Sequence, residues 1–147
     1  MKLHELLGLY AKILNTYGNA VSKIYREYGI NQTCSDVLIF LKNNPEHDTA
    51  SSIVEIRGLK KGMVSVAIEQ LFQSDLLVRI PDESDRRVQH LKLTEKSLKL
   101  AAIGQQLQND FQNQLFSKIS SDEQKCLENL SEKMLLSLSE MKGTYLS

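Results

Sequence analysis

Apolar residues recur along the first part of this chain with helical spacing. Leu3, Leu7, Tyr10, Leu14, Tyr17, Val21, Ile24 and Tyr28 follow one another at alternating steps of four and three, a seam sustained over more than three heptads. The spacing predicts one long helix, its apolar side widened by Leu6, Ile13 and Ala20 and its end marked by Gly29. Two further long stripes lie at the other end of the chain. Leu100, Ile103, Leu107, Phe111, Leu115 and Ile119 form the first, and Leu127, Leu130, Met134, Leu138 and Met141 the second. Thr94, with Glu95 after it, is placed to cap the first of these helices. Ser120-Ser121-Asp122-Glu123 reads as a capping box opening the second.

The middle of the chain is built of shorter pieces. Thr33-Cys34-Ser35-Asp36 reads as a capping box before the apolar residues Val37, Leu38, Phe40 and Leu41, and Asn43-Asn44-Pro45 stops that helix. Asp48 or Thr49 caps a short helix through Ile53 and Ile56, and Gly58-Leu59 makes a turn. A third helix is expected from about Lys60 to Ser74, with Val64, Ala67, Ile68 and Leu71 facing inward. The period then changes. Val78-Arg79-Ile80 and the alternating stretch from Val88 to Leu93 flank a turn containing Pro81, Asp82, Ser84 and Asp85, a hairpin signal. Helix, turn, helix and hairpin in this order predict a winged helix-turn-helix.

The predicted fold is therefore mainly α with one small β-hairpin. A single domain over 1–147 is expected, with a winged helix-turn-helix at 33–93 between dimerisation helices at 1–29 and 94–147. The end helices carry more apolar surface than so small a winged unit can cover, which favours a two-fold homodimer with those helices interleaved.

Charge narrows the chemistry. Lys and Arg number 18 against 18 Asp and Glu, for a formal net charge of +0, so attraction of nucleic acid by bulk charge is excluded. Locally the balance tilts: residues 57–93 hold seven Lys or Arg against five acids. Two of the seven, Arg86 and Arg87, sit at the tip of the predicted hairpin, where an arginine can enter a narrow minor groove. The outer face of the third helix should present Lys60, Lys61, Ser65, Val66, Glu69 and Gln70. Lys60 and Lys61 lie at the positive end of the helix dipole, suited to phosphate. Gly62 in the first turn leaves room for close backbone approach. Ser65 offers a hydrogen bond, Met63 or Val66 a contact to a thymine methyl, and Glu69 an acceptor for cytosine or a repulsion for the backbone. Each is equally at home as a solvated surface residue. The expected partner is double-stranded DNA.

Other chemistries find little support. His4, His47 and His90 are scattered, so no metal site is expected, and no phosphate loop, nucleophile elbow or other enzymatic constellation is present. No cofactor is expected. No apolar run approaches the ~18 residues of a membrane span, and the first residues do not read as a signal peptide. Cys34 and Cys126 are far apart, which suits a reducing cytoplasmic setting. Cys126 reads as packing. Cys34, in the first turn of a helix, keeps open a redox-responsive alternative. A winged helix serving as a protein-interaction module without DNA binding is the other.

Asp82, Asp85-Arg86-Arg87 and Leu91-Lys92-Leu93-Thr94-Glu95-Lys96, following a helix-turn-helix and preceding a long helix, resemble the signature of the MarR family of bacterial transcriptional regulators. The resemblance covers nearly the whole chain. It implies homodimers on pseudo-palindromic promoter DNA, usually repressors, released when a small and often anionic aromatic ligand binds between the winged domain and the dimer helices. Some members sense cysteine oxidation or zinc. By position, Asp85 would pair with an arginine and fix the wing, and Arg86 or Arg87 would reach the minor groove. The stretch from Lys60 to Glu69 would face the major groove, and a ligand pocket would draw on Tyr10, Ile13, Tyr17, Val37 and Phe40. Three positions depart from the pattern. Ser97 and Asp75 stand where glycine is usual, and Gly62 where serine or threonine is.

Overall fold

The computed structural model describes residues 1–145. Its elements are α1 (Leu3–Tyr25) with a short 3-10 turn (Arg26–Tyr28), α2 (Gln32–Asn43), α3 (Ala50–Arg57), α4 (Lys61–Gln73), β1 (Leu77–Pro81), β2 (Gln89–Leu93), α5 (Glu95–Leu115) and α6 (Ser121–Tyr145). The chain forms two compact units whose boundary falls inside α5, after Asn109.

The core of the first unit surrounds α2. Every residue from Cys34 to Leu41 is buried, so this helix has no outer face. Its Val37, Leu38, Phe40 and Leu41 pack with Ile53 of α3, Val64, Ala67, Ile68 and Leu71 of α4, and Leu77 and Leu91 of the hairpin. The helix begins two residues ahead of the expected capping box. Asn31 takes the cap, its side-chain oxygen accepting the Cys34 N–H at 2.9 Å, which leaves Thr33 inside the first turn. Thr49 caps α3 by accepting the Ser52 N–H, and Gly58 closes it with a left-handed φ of 72°.

The end of α4 is where sequence and backbone conflict. Leu76 N–H reaches the Leu71 carbonyl at 2.9 Å and Asp75 N–H the Phe72 carbonyl at 3.1 Å, the bond pair of a Schellman stop. That motif needs a left-handed residue, and Asp75 supplies it with φ 58° where glycine would carry no penalty. The start of α5 grips the same corner. Thr94 Oγ1 donates to the Asp75 carbonyl at 2.6 Å and accepts from the Ser97 N–H, its own N–H donates to the Leu76 carbonyl, and Lys96 Nζ donates to the Ser74 carbonyl. Ser97 is fully buried and bonds the Thr94 carbonyl.

Farther along α5, Tyr25 of α1 donates its hydroxyl to the Leu100 carbonyl at 2.6 Å. A Cβ placed on the buried Gly104 would collide with that hydroxyl and with Ile39, so close approach of α5 to α1 and α2 requires glycine there. β1 and β2 pair antiparallel from Leu77↔Leu93 to Pro81↔Gln89.

In the second unit, α6 opens with the expected capping box: Glu123 accepts the Ser120 N–H at 2.8 Å and returns its own N–H to Ser120 Oγ. Leu127, Leu130, Met134, Leu135, Leu136, Leu138 and Met141 are exposed along it, as are Leu3, Leu7 and Tyr10 of α1 in the first unit. Cys126 is exposed as well, which corrects its reading as a packing residue.

Asp75→Gly is expected to stabilise the protein by about 1 kcal/mol through relief of the left-handed strain, read as a higher urea midpoint at unchanged m-value. Gly104→Ala should cost between about 1 and 3 kcal/mol by overpacking, in the same measurement.

Candidate nucleic-acid interface

α4 presents one continuous outer face. Lys60 is its N-cap residue, with no side chain capping the helix start, so the first N–H groups lack the side-chain partner that such ends usually find. Lys60, Lys61, Gly62, Met63, Ser65, Val66, Glu69 and Gln70 are all exposed, while Val64, Ala67, Ile68 and Leu71 are buried. A Cβ at Gly62 would meet open space. Gln70 turns toward α2: its side-chain oxygen accepts from Asn31 Nδ2 at 3.0 Å and from Cys34 Sγ at 3.3 Å.

Glu69, although exposed, is bonded by the hairpin and by its own helix. Arg79 of β1 donates to Glu69 Oε2 at 2.6 Å, and its guanidinium lies 4.5 Å from the centre of the Phe72 ring, a cation–π stack. Gln73 bonds the other carboxylate oxygen at 2.9 Å. The bonds from Gln73 and Arg79 keep the Glu69 carboxyl below its usual pKa. The sequence reading gave Arg79 and Phe72 no role. Their signal was a cation on β1 opposite an acid on α4, visible only once the two elements are in contact.

The wing turn is organised by its carboxylates. Asp82 Oδ2 accepts the N–H groups of Ser84 and Asp85 and the Ser84 hydroxyl, all within 3.0 Å. Asp85 takes Arg87 from three sides: the backbone N–H at 3.0 Å, Nε at 3.2 Å and Nη2 at 3.3 Å. The side chain of Arg87 lowers the Asp85 pKa, with its backbone N–H adding to the effect. The two arginines at the tip are thus unlike. Arg87 is occupied by Asp85, whereas Arg86 is exposed and takes no part in an ion pair among the described residues. A concavity of about 540 Å³ lies between the start of α3, α4 and the hairpin, with Ser65, Glu69, Arg79, Arg87 and Gln89 on its walls.

The residues offered for a ligand pocket separate. Tyr17 and Phe40 line a cavity of about 190 Å³ with Asp36, Ile39, Ile56 and Arg57. Val37 faces the core instead, whereas Ile13 is half-buried and Tyr10 exposed, one and two turns before Tyr17 on the same side of α1 and outside that cavity. Within it Arg57 Nη2 meets the buried Asp36 carboxylate at 3.4 Å. Burial pushes the Asp36 pKa up, and Arg57 opposes the rise. Burial likewise raises the Cys34 thiol, which favours the unreactive protonated form. Among the described residues no group of three or more His, Cys, Asp or Glu is placed to hold a metal, and no helix is long and apolar enough to cross a membrane.

Residues 28–88, from the end of the 3-10 turn through the wing turn, match the family model for the MarR family. The chain is 28% identical over 122 residues to the transcriptional repressor MprA of Escherichia coli, spanning 82% of this chain and 69% of that protein. Over residues 28–88 the chain is similar to the MarR family. Its fold is shared with the MarR transcription regulator of Oenococcus oeni at 21% identity and a TM-score of 0.70, over 91% of this chain and 98% of that one. It is shared too with a mutant MarR from E. coli crystallised with operator DNA, at 20% identity and a TM-score of 0.66, over 89% and 94% of the two chains. The matched segment is also the one bearing the exposed cations of α4 and the wing.

Arg57→Ala would leave the Asp36 carboxylate buried without its partner. A loss on the order of 2 kcal/mol is expected at neutral pH, below the range for fully buried pairs because Arg57 is part-exposed. A group whose pKa is raised on folding is at least cost when protonated, so the loss should shrink as pH falls toward the ordinary carboxylate value. Urea titrations at neutral and mildly acidic pH, with Asp36→Asn added as the compensating change, measure this.

Proposed function

We propose that this chain is a DNA-binding transcriptional regulator, a repressor released by a small ligand, that works as a homodimer in the cytoplasm. The observation that carries the reading is the division of labour at the wing: Asp85 holds Arg87 in place, while the adjacent Arg86 is exposed. An arginine so presented suits a narrow minor groove. Beside it, α4 offers Lys60, Lys61 and its uncapped N-terminus to phosphates, with Met63, Ser65 and Val66 turned outward for base edges. At about 1.5 Å per residue the helix has the length to lie in a major groove.

Glu69 drops out of the base-reading set in this proposal, because Arg79 and Gln73 occupy both of its oxygens. The exposed apolar residues of α1 and α6 supply the surface for a two-fold dimer. Two half-sites about 34 Å apart would match it, giving a pseudo-palindromic operator. The operator complex of the E. coli relative supports DNA as the partner. The Tyr17–Phe40 cavity is the place for an aromatic effector, which acts only by binding one of two DNA-competence states better than the other. The raised Cys34 thiol weighs against the redox alternative.

Duplexes selected from a random pool should share a palindromic consensus. On such a duplex, affinity should fall steeply with salt, and Arg86→Ala should reduce the log–log slope by about one. Arg87→Ala should instead act by loosening Asp85 and the turn. Affinity indifferent to salt would point to a protein-interaction module.

A further inference from the structure

His90 of β2 is held between two carboxylates. Its Nδ1 lies 2.7 Å from Asp48 Oδ1, and its Nε2 lies 2.8 Å from Asp82 Oδ1. Asp48 belongs to the turn that enters α3, and Asp82 to the wing loop. The contacts of the DNA-facing surface described above use neither His90 nor Asp48.

Both ring nitrogens face acceptors, and this decides the chemistry. A neutral imidazole has one N–H to donate, so its other nitrogen would point a lone pair at a carboxylate oxygen; only the imidazolium donates to both. The remaining oxygens are already committed. Lys92 Nζ binds Asp48 Oδ2 at 2.6 Å, and Asp82 Oδ2 organises the wing turn. Losing the proton therefore weakens a link between the wing tip and the helix-turn-helix, and with it one of the partners that hold Asp82.

We propose that protonated His90 is the positioning residue of the wing: its imidazolium ties Asp82 at the tip to Asp48 before α3 and makes the presentation of Arg86 to DNA depend on pH. The proposal rests on the DNA-binding reading for its effect, though not for the clamp itself.

The surroundings favour the charged form. Hydrogen bonds to Asp48 and then Asp82 raise the His90 pKa above its ordinary value, and the charges of both add to the rise. Burial pushes Asp48 up, yet the bonds from His90 and Lys92 outweigh it and hold that carboxyl low. The His90 bond comes first in holding Asp82 well below the carboxylate range. From the other packed elements, β1 sets the uncharged Ile80 opposite His90, and α2 contributes Lys42, which lines the same concavity as Asp48 and Lys92. The signs agree. With its pKa raised on folding, His90 contributes fully below about 6.5 and loses that contribution as pH climbs through the raised value, whereas the depressed carboxylates lose theirs only in acid. The clamp is whole below the ordinary histidine value and opens as pH climbs through the raised one.

The test follows the free protein first. With nitrogen-15-labelled histidine, the His90 ring should titrate above the ordinary value. Amide exchange across 82–90, corrected for its intrinsic pH dependence, should rise as that proton leaves; His90→Gln should exchange fast throughout and His90→Arg slowly throughout. At fixed ionic strength, wild-type affinity for a selected duplex should fall at least about threefold from pH ~6 to ~8.5, with both variants flat. A ring that titrates at or below the ordinary value, or wild-type exchange that matches His90→Gln at every pH, overturns the clamp. Exchange that behaves as expected in a protein that binds no duplex at any pH upholds the clamp and overturns the DNA-binding reading instead.

Discussion

A helix without a solvent face organises the first unit. All eight residues from Cys34 to Leu41 are buried, so α2 must find a partner for every polar group it carries. Ser35 satisfies its hydroxyl within the helix, on the Asn31 carbonyl. Asp36 needs Arg57 from α3, and Cys34 lays its thiol against the Gln70 side chain of α4. The polar residues of α2 thus reach the helices packed around it, while its apolar residues hold the same helices by packing. The orientation of α3 and α4 is consequently specified twice, by hydrophobic contact and by directional bonds that fit only one arrangement.

The hairpin is the opposite case. Two strands alone are marginal in water, and Val78 and Ile80 contribute little because they are exposed. Definition comes from attachments on both sides. Leu77 and Leu91 enter the core, Leu91 N–H bonds the Asp48 carbonyl at 2.7 Å, and Arg79 bonds across to Glu69 on α4. Three carboxylates that would repel a phosphate backbone, those of Asp82, Asp85 and Glu69, are spent on internal bonds. Lys60, Lys61 and Arg86 remain exposed on the same segment, although the chain as a whole is neutral.

Much of this was legible in the residues. The helix order, the hairpin and the capping roles of Thr49, Thr94 and Ser120 follow from local rules, because each depends on neighbours a few positions away. The pairing of Asp85 with an arginine was legible for the same reason, its partner being two residues distant. What escaped the sequence depends on distance along the chain. Asp48 looked like a cap and serves His90 and Lys92, more than forty residues on. Glu69 looked like a base reader and serves Arg79. Gly104 carries no pattern at all until Tyr25 and Ile39 are brought against it. Tyr10 and Tyr17 share one seam, yet Tyr17 is buried against the winged unit whereas Tyr10 is exposed, since periodicity tells which side of a helix is apolar but not how far its cover extends.

The grip of Thr94 and Lys96 on the last turn of α4 has a mechanical side. With Thr94 Oγ1 on Asp75 and Lys96 Nζ on Ser74, the start of α5 is fastened to one end of a rod about 20 Å long, and Lys60 and Lys61 ride at the other. A tilt of roughly 10° at the fastened end would swing those ammonium groups through ~3.5 Å on an arm of that length, slightly more than a hydrogen-bond length. Small rotations at the start of the long helix are therefore geared up at the tip that carries Lys60 and Lys61.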